Sequence, residues 1–357
     1  MDVIFAPDWR NGVPYQQLLA DGLTARGVQV SFLQGYRRVF PLARLLSQRH
    51  CDVLHLHWPE AYYPRMEDGW DWFRRARFST DLKIASRRCA LVVTAHNLHA
   101  HDRADEPFAA HNTRSAFCRA GAVIAHSAAA RTEIISRFGT DEPKIHVIPH
   151  GDLSVVVGTP VTRDEARREL GLGPQKVCLI FGALEPYKGV EEVLAYWRKT
   201  MPAAELIIAG KPRTEKYGDE LRAVAAGVPK VNLRFGWLDN SQLRLWLSAA
   251  NCVLFNYRQI FTSGAASLAR SWGVPILLPT RLATVALEEP SPLVFRFGNF
   301  EEDFAAQLAR ALETPADYPA AAPWREHTSW DRVAAATKLA YERAIDRFSP
   351  QPGLAAR

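Results

Sequence analysis

Ile145-His146-Val147-Ile148-Pro149-His150-Gly151 is the stretch on which the reading of this 357-residue chain turns. A β-branched run of strand length stops at a proline, and a histidine and a glycine follow. Before it come five more short apolar runs: Val3–Ala6, Val28–Phe32, Val53–Leu56, Ala90–Thr94 and Ala122–Ala125. Stretches of helical period separate them, the first from Tyr15 to Ala25. After Gly151 the pattern starts again, with Val177–Phe181, Leu206–Ala209, Asn232–Phe235, Cys252–Phe255 and Pro275–Leu278. Helical stretches such as Val190–Lys199 and Asn240–Ala250 lie between these. Strands alternating with helices imply βαβ units and a parallel sheet covered on both faces. The expected fold is α/β, with two doubly wound, Rossmann-like parallel-sheet domains spanning 1–152 and 153–330. The tail, Ser329–Phe348, has a long helical pattern, and a helix over about 331–357 is expected to pack back on the first domain.

Composition supports a globular chain. Hydrophobic residues make up 48% and charged residues 23%, which excludes disorder and fibrous repeats. No apolar run approaches the roughly 18 residues of a membrane span, and the first residues lack a secretory pattern, so a cytoplasmic protein is expected. Cys51, Cys89, Cys118, Cys178 and Cys252 are far apart, mostly in strand-like runs, and read as reduced thiols. Ten of the eleven histidines precede residue 151, leaving only His327 behind. That crowding suggests different chemistry in the two halves.

Ligands of open parallel sheets sit beyond the carboxyl ends of the strands. In the first half those ends supply Asp8, Asn11, His57, Glu60, His96, Asn97, His101, Asp102, His126 and His150. In the second they supply Gly182–Gly189, Gly210–Arg213, Gly236–Asn240 and Tyr257–Gly264. Two such rims facing each other would make a cleft.

Phe181-Gly182-Ala183-Leu184-Glu185-Pro186-Tyr187-Lys188-Gly189 follows a strand and opens a helix. Backbone amides there, with Lys188 above them, suit a phosphate, although a plain turn with a solvated lysine fits equally well. Neither GxGxxG nor GxxxxGK[S/T] is present, so a dinucleotide fold or P-loop is not supported. Thr262-Ser263-Gly264 opens a second helix, capped by Thr or Ser, with Gly264 open to close approach. Two prepared helix starts on one rim, with Lys188 and Arg258 nearby, favour a diphosphate site.

The two halves, the P-Y-K-G loop and the T-S-G helix start resemble GT-B glycosyltransferases, which move a sugar from a nucleotide donor. Val13-Pro14-Tyr15-Gln16, His55-Leu56-His57-Trp58-Pro59-Glu60, Thr94-Ala95-His96-Asn97 and Ile148-Pro149-His150-Gly151 resemble bacterial exopolysaccharide glycosyltransferases, in particular the GDP-mannose:glycolipid β-mannosyltransferase type. The resemblance implies two domains facing across a cleft. The second would hold a nucleoside-diphosphate sugar through Gly182, Tyr187, Lys188, Lys211, Arg258, Thr262, Ser263 and Gly264. The first would hold a lipid-linked or oligosaccharide acceptor, with His96 placed to contact the donor sugar. It also marks two departures. Retaining members carry a pair of glutamates where this chain has Ile260 and Leu268, and often an arginine where it has Gly182. Loss of the pair favours an inverting, single-displacement reaction.

Such a reaction needs a general base on the acceptor side and fixed positive charge for the leaving group. Glu60 ranks first as base, because burial in its Trp-Pro setting would raise its pKa; a surface pair with Arg65 is the competing reading. Asp102 ranks second, or is a helix cap. His57, His101, His126 and His150 line the site or pack the domain. No D-x-D motif lies at a strand end, so neither a metal nor another cofactor is expected. Trp70, Trp72, Phe73 and Phe78 alternate with arginines, as do Arg37, Arg38 and Phe40 with Leu42, Leu45 and Leu46. These stretches suit peripheral contact with an anionic membrane at its cytoplasmic face, or else a buried helix face. No nucleic-acid module is recognisable. Donors other than GDP-mannose, namely a UDP-hexose or UDP-glucuronate, remain open, as do a nucleotide-sugar epimerase or hydrolase and a non-catalytic sugar-nucleotide-binding partner.

Overall fold

A computed structural model describes residues 1–35, 40–62, 71–97, 107–258, 260–281 and 291–348. The chain divides into two compact units, residues 1–151 with 328–357, and residues 152–327.

In the first unit the elements run β1 (Asp2–Ala6), α1 (Pro14–Thr24), β2 (Gln29–Phe32), α2 (Pro41–Gln48), β3 (Val53–His57), α3 (Asp71–Ala85), β4 (Ala90–Thr94), α4 (Pro107–Arg119), β5 (Ala122–Ala125), α5 (Ala128–Phe138) and β6 (Ile145–Val147). The second unit holds α6 (Ser154–Val157), α7 (Arg163–Leu170), β7 (Lys176–Phe181), α8 (Val190–Thr200), β8 (Ala204–Gly210), α9 (Glu215–Ala225), β9 (Val231–Phe235), α10 (Asn240–Ala249), β10 (Cys252–Leu254), α11 (Gly264–Trp272), β11 (Ile276–Pro279), β12 (Val294–Phe297), α12 (Phe304–Glu313) and α13 (Ala322–His327). The last helix, α14 (Trp330–Asp346), returns to the first unit.

Both sheets are six-stranded and parallel. The first has order β2-β1-β3-β4-β5-β6, so the chain switches direction of winding between β1 and β3. In the second, order β12-β11-β10-β7-β8-β9, the switch falls between β7 and β10. Strand β12 is an addition to the five expected in this half. The central strands are buried along nearly their whole length, as the continuous Val/Ile/Leu runs require of a sheet covered on both faces.

Close packing fixes α14 on α1 and the sheet of its unit. A Cβ at Gly22 would lie 2.9 Å from that of Ala334, and one at Gly151 would lie 2.4 Å from the Trp330 ring. Tyr341 of α14 is fully buried and donates or accepts a 2.7 Å hydrogen bond with His55 Nδ1. Four cysteines are buried thiols, and Cys118 is exposed. No described helix is long and apolar enough to cross a membrane.

Candidate active site

In the second unit the crevice at the switch point lies between the loops that follow β7 and β10. The β7 loop is pressed against the β8 loop: Gly182 N–H donates to Ala209 O (3.1 Å) and Leu184 N–H to Lys211 O (2.8 Å). A Cβ at Gly210 would stand 1.8 Å from the carbonyl oxygen of Gly182, so only glycine fits this approach. Gly182 itself has φ +91° and Gly189 φ +61°, bracketing the single turn Pro186–Lys188. That turn folds Lys188 inward. Its side chain is 6% exposed, its Nζ donates to Phe181 O (3.3 Å) and lies 5.4 Å from the centre of the Tyr257 ring. Burial lowers its pKa to about 8, with Glu185 opposing. Tyr187 packs edge-on against Tyr257 at 5.7 Å, and its carbonyl accepts from Arg258 N–H (2.7 Å).

The other sequence-assigned residues of this rim divide by what already engages them. Arg258 Nε donates to Glu192 Oε1 (2.9 Å), and its Nη2 lies 3.7 Å from Glu191 Oε2. Both glutamates stand in the first turn of α8, and Asn256 Nδ2 donates to Gly189 O (2.9 Å) and Glu192 Oε2 (2.9 Å). Negative charge at the α8 start is therefore supplied from within. The α11 start has no acid in its first turn; Ser263 Oγ accepts from Ala266 N–H (3.1 Å), and Thr262 and Gly264 flank this cap. Its first amides are the better seat for an anion. Lys211 is exposed just past the end of β8. Leu268 is buried in the core of the unit and Ile260 packs against that core, so no carboxylate stands at either position.

In the first unit the carboxyl edge is a row of imidazoles. His55, His57, His96, His126 and His150 are all buried. The His55 and His57 rings lie 4.1 Å apart and tilted by 36°, those of His96 and His126 5.3 Å apart, and those of His126 and His150 5.3 Å apart. Nδ1 of His57 is 3.2 Å from Nε2 of His96. Tyr15 of α1 touches four of these rings, at 5.9, 4.8, 5.8 and 5.0 Å for His57, His96, His126 and His150. His126 Nδ1 donates to Ile148 O and His150 Nδ1 to Gly151 O, both at 2.9 Å, which puts the proton on Nδ1 in each. Burial, aided by the neighbouring imidazoles, pushes His57 and His96 well below the usual histidine value, and His126 to about 3. The row is neutral. Among the described residues, no three histidine, cysteine or carboxylate groups are placed to hold a metal ion.

Glu60 lies just past β3 on a short 3-10 turn, half-buried, and its Oε1 accepts from Asn97 Nδ2 (3.2 Å). Burial raises its pKa, as a general base at neutral pH requires. Asp8 is the contrary case. Arg10 holds it by Nε–Oδ1 (2.9 Å) and Nη2–Oδ2 (3.0 Å), which keeps its carboxyl low and makes it a poor base. Asn11 sits on an exposed turn. His101 and Asp102 lie outside the described residues, as do Arg65, Trp70, Arg37 and Arg38.

Two tryptophans to which the sequence pattern assigns no role also stand at this edge. Trp58 follows β3 with φ +45°, a left-handed conformation costing a bulky residue about 1–3 kcal/mol. Its indole stacks on His96 at 4.2 Å and 14°, and Trp9, from the loop after β1, stacks on Trp58 at 5.1 Å and 25°. Trp58 was legible only as part of a motif; nothing in the sequence marks its backbone.

Two doubly wound parallel sheets, each with its polar groups at the carboxyl edge, are the two domains of a GT-B protein. Sucrose-phosphate synthase from Thermosynechococcus elongatus superposes with a TM-score of 0.71 at 16% identity, covering 97% of this chain and 99% of that one. Anabaena HepE, solved with UDP and glucose, gives 0.66 at 17% identity over 98% and 97%. In sequence, residues 3–152 match the model of Glycosyltransferase Family 4. The GDP-mannose:glycolipid 4-β-D-mannosyltransferase of Xanthomonas campestris pv. campestris is 28% identical over 87% of this chain and 84% of its own. The D-inositol 3-phosphate glycosyltransferase of Pseudarthrobacter chlorophenolicus is 27% identical over 64% and 57%. The chain is a glycosyltransferase of GT-B fold with a Glycosyltransferase Family 4 domain.

Proposed function

We propose that this enzyme transfers a hexose from a nucleoside-diphosphate sugar, mannose from GDP-mannose, to a lipid-linked or oligosaccharide acceptor in exopolysaccharide synthesis. The observation that carries the donor half is the pairing of a buried Lys188 with an acid-free α11 start at the switch point of the second sheet. Together they offer fixed positive charge to a departing diphosphate without a metal. The sugar and acceptor rest on the Xanthomonas mannosyltransferase, whose length this chain largely covers.

The reaction is a single inverting displacement. Glu60 takes the proton of the acceptor hydroxyl as its oxygen bonds to the anomeric carbon, and the bond from that carbon to the diphosphate oxygen breaks on the opposite face. Charge on the leaving nucleoside diphosphate is met by Lys188 and the α11 amides. Asn97 orients the Glu60 carboxylate. Apolar side chains at Ile260 and Leu268 leave no carboxylate there to act on the donor sugar, which favours inversion. The nucleobase would meet Trp237, 69% exposed just beyond β9.

The test is thermal stabilisation by GDP, UDP, dTDP and ADP, with and without magnesium or a chelator. NMR of the product anomer formed from the matching nucleotide sugar then follows. Stabilisation by GDP without metal, and an inverted anomer, are expected; stabilisation by none would remove the donor site. A UDP-sugar donor is the second reading, favoured by the HepE complexes with UDP and glucose and with UDP-glucose.

Peripheral contact with an anionic membrane belongs to the same proposal. On α3 the aromatics divide: Phe78 is core, whereas Phe73 is 43% exposed, and the side chain of Trp72 lies outside the described residues. Phe73→Ser should reduce sedimentation with anionic vesicles, and equal sedimentation would remove α3 from the contact.

A further inference from the structure

The structure assigns a sugar-binding subsite: we propose that the stacked indoles of Trp9 and Trp58 hold a pyranose ring of the acceptor. This rests on the transferase reading and adds the chemical class of what the first unit grips.

Place is the first argument. The switch point of the first sheet lies between β1 and β3, where the two following loops lead to opposite faces and open a crevice. Trp9 stands on the loop after β1 and Trp58 directly after β3. Both are partly exposed.

Construction is the second. Trp9 N–H donates to Gln16 Oε1 (2.9 Å), and Gln16 Nε2 donates to Pro7 O (2.8 Å). Gln16 itself is fully buried in α1, so the loop carrying Trp9 is pinned from the core. Trp58 is turned into the left-handed region and its ring laid flat on His96, 4.2 Å away. A surface indole with no task would relax to ordinary backbone geometry; strain of this kind persists where neighbouring structure holds it for a purpose. A platform built before the ligand arrives loses little freedom on binding.

Chemistry is the third. One face of a pyranose is made of C–H groups and its rim of hydroxyls. The C–H face matches the negative face of an indole. Glu60 Oε and Asn97 Nδ2, on the turn after Trp58 and at the end of β4, offer an acceptor and a donor for rim hydroxyls. Among the described residues, the surroundings disfavour an anion. The His57 and His96 imidazoles are neutral, and the Arg10 guanidinium is engaged by Asp8 and lies 3.8 Å over the Phe32 ring. A neutral sugar fits where a phosphate does not.

The pyranose could belong to the acceptor or to the donor, and the experiment separates them. Methyl glycosides of glucose, galactose and mannose are titrated against the full-length protein while tryptophan fluorescence is followed. At least one should give a saturable change in the millimolar range. Trp58→Gly removes the indole while relieving the positive φ, and so is expected to fold; Trp9→Leu leaves the core untouched. Each should weaken the glycoside at least tenfold, whereas Trp237→Leu, in the other unit, should not. Affinity for GDP, UDP and the intact nucleotide sugar should stay within twofold in both. No saturable change in the wild type, or unchanged glycoside affinity in both variants, overturns the subsite. Loss of nucleotide-sugar affinity with nucleoside-diphosphate affinity kept assigns the platform to the donor hexose and overturns the acceptor assignment. Glycosides that bind a protein deaf to every nucleotide would leave this subsite standing and remove the donor reading instead.

Discussion

The two units share one winding scheme and use it for opposite electrostatic ends. Each places its functional groups at the carboxyl edge, beside a topological switch point. In the second unit that edge is built from glycines, a buried ammonium and helix amides, a setting for negative charge. In the first it is built from five buried imidazoles, two stacked indoles and a carboxylate whose pKa is raised, a setting with no fixed cation at its centre among the described residues. A doubly wound sheet therefore fixes where chemistry happens, while the loop residues decide its sign.

The largest effect that would sharpen this contrast is at Glu60. Glu60→Gln keeps the hydrogen-bonding shape toward Asn97 but cannot take a proton. Turnover should fall by about 10²–10⁴-fold while nucleotide affinity, proposed above for the other unit, is unchanged. A Gln variant with near-normal turnover, measured by nucleotide release, would break the division of labour. Next comes Gly210→Ala. Its Cβ would overlap the Gly182 carbonyl at 1.8 Å, forcing apart the loops that carry Lys188. About 3 kcal/mol should be lost from the second unit in a denaturant titration, with the first unit's transition unmoved.

Lys188 separates binding from stability by pH. Folding depresses its pKa from 10.5 to about 8. Between those values the unfolded chain binds more protons, so the second unit should become more stable as pH rises from 8 to 10.5. Diphosphate affinity needs the charged form and should fall over the same range. Lys188→Ala should cost at least tenfold in affinity at pH 7 and abolish both trends. Parallel rather than opposite trends, by calorimetry and thermal melts, would show that the ammonium does not meet the ligand.

How far these contrasts were legible in the sequence follows from what kind of information each needed. The strands could be read because a sheet buried on both faces demands unbroken β-branched runs, as in β4 and β8. Strand β12 escaped because it lies at the sheet edge, where Arg296 faces solvent and interrupts its apolar run. Glu60 and Lys188 could be nominated because a carboxylate and a lysine just past strands have few structural reasons to be there. The commitment of Arg258 to Glu191 and Glu192 depends on contacts some 66 residues apart in the chain, which no local pattern encodes. The same holds for Asp81, whose carboxylate accepts from the Leu42 and Ala43 amides to start α2. The Trp9–Trp58 stack depends on a backbone angle, and residue type does not determine that angle.

The smallest expected effect is also the one that sets the units directly against each other: their response to acid. His55, His57, His96 and His126 are held neutral by burial, each with a folded pKa below 6.5. For a base whose folded pKa is lowered, the unfolded chain takes up protons first, so stability falls as pH drops below 6.5 and continues falling toward the folded value, about 3 for His126. Glu60 and Asp81 act in the opposite sense, since burial raises their pKa and the folded state binds their protons first. The histidines outnumber them and their shifts run further. The second unit has a single histidine, His327. As pH falls from 6.5 to 4.5, hydrogen-exchange protection relative to the intrinsic rate should therefore be lost in α1 and β3–β5 while β7 and β8 keep theirs. His126→Asn, which can still donate to Ile148 O, should flatten part of that slope. An equal loss of protection in both units would mean that the imidazole row is not what makes the first unit acid-sensitive. Its place in the fold would then rest on packing around Tyr15 alone.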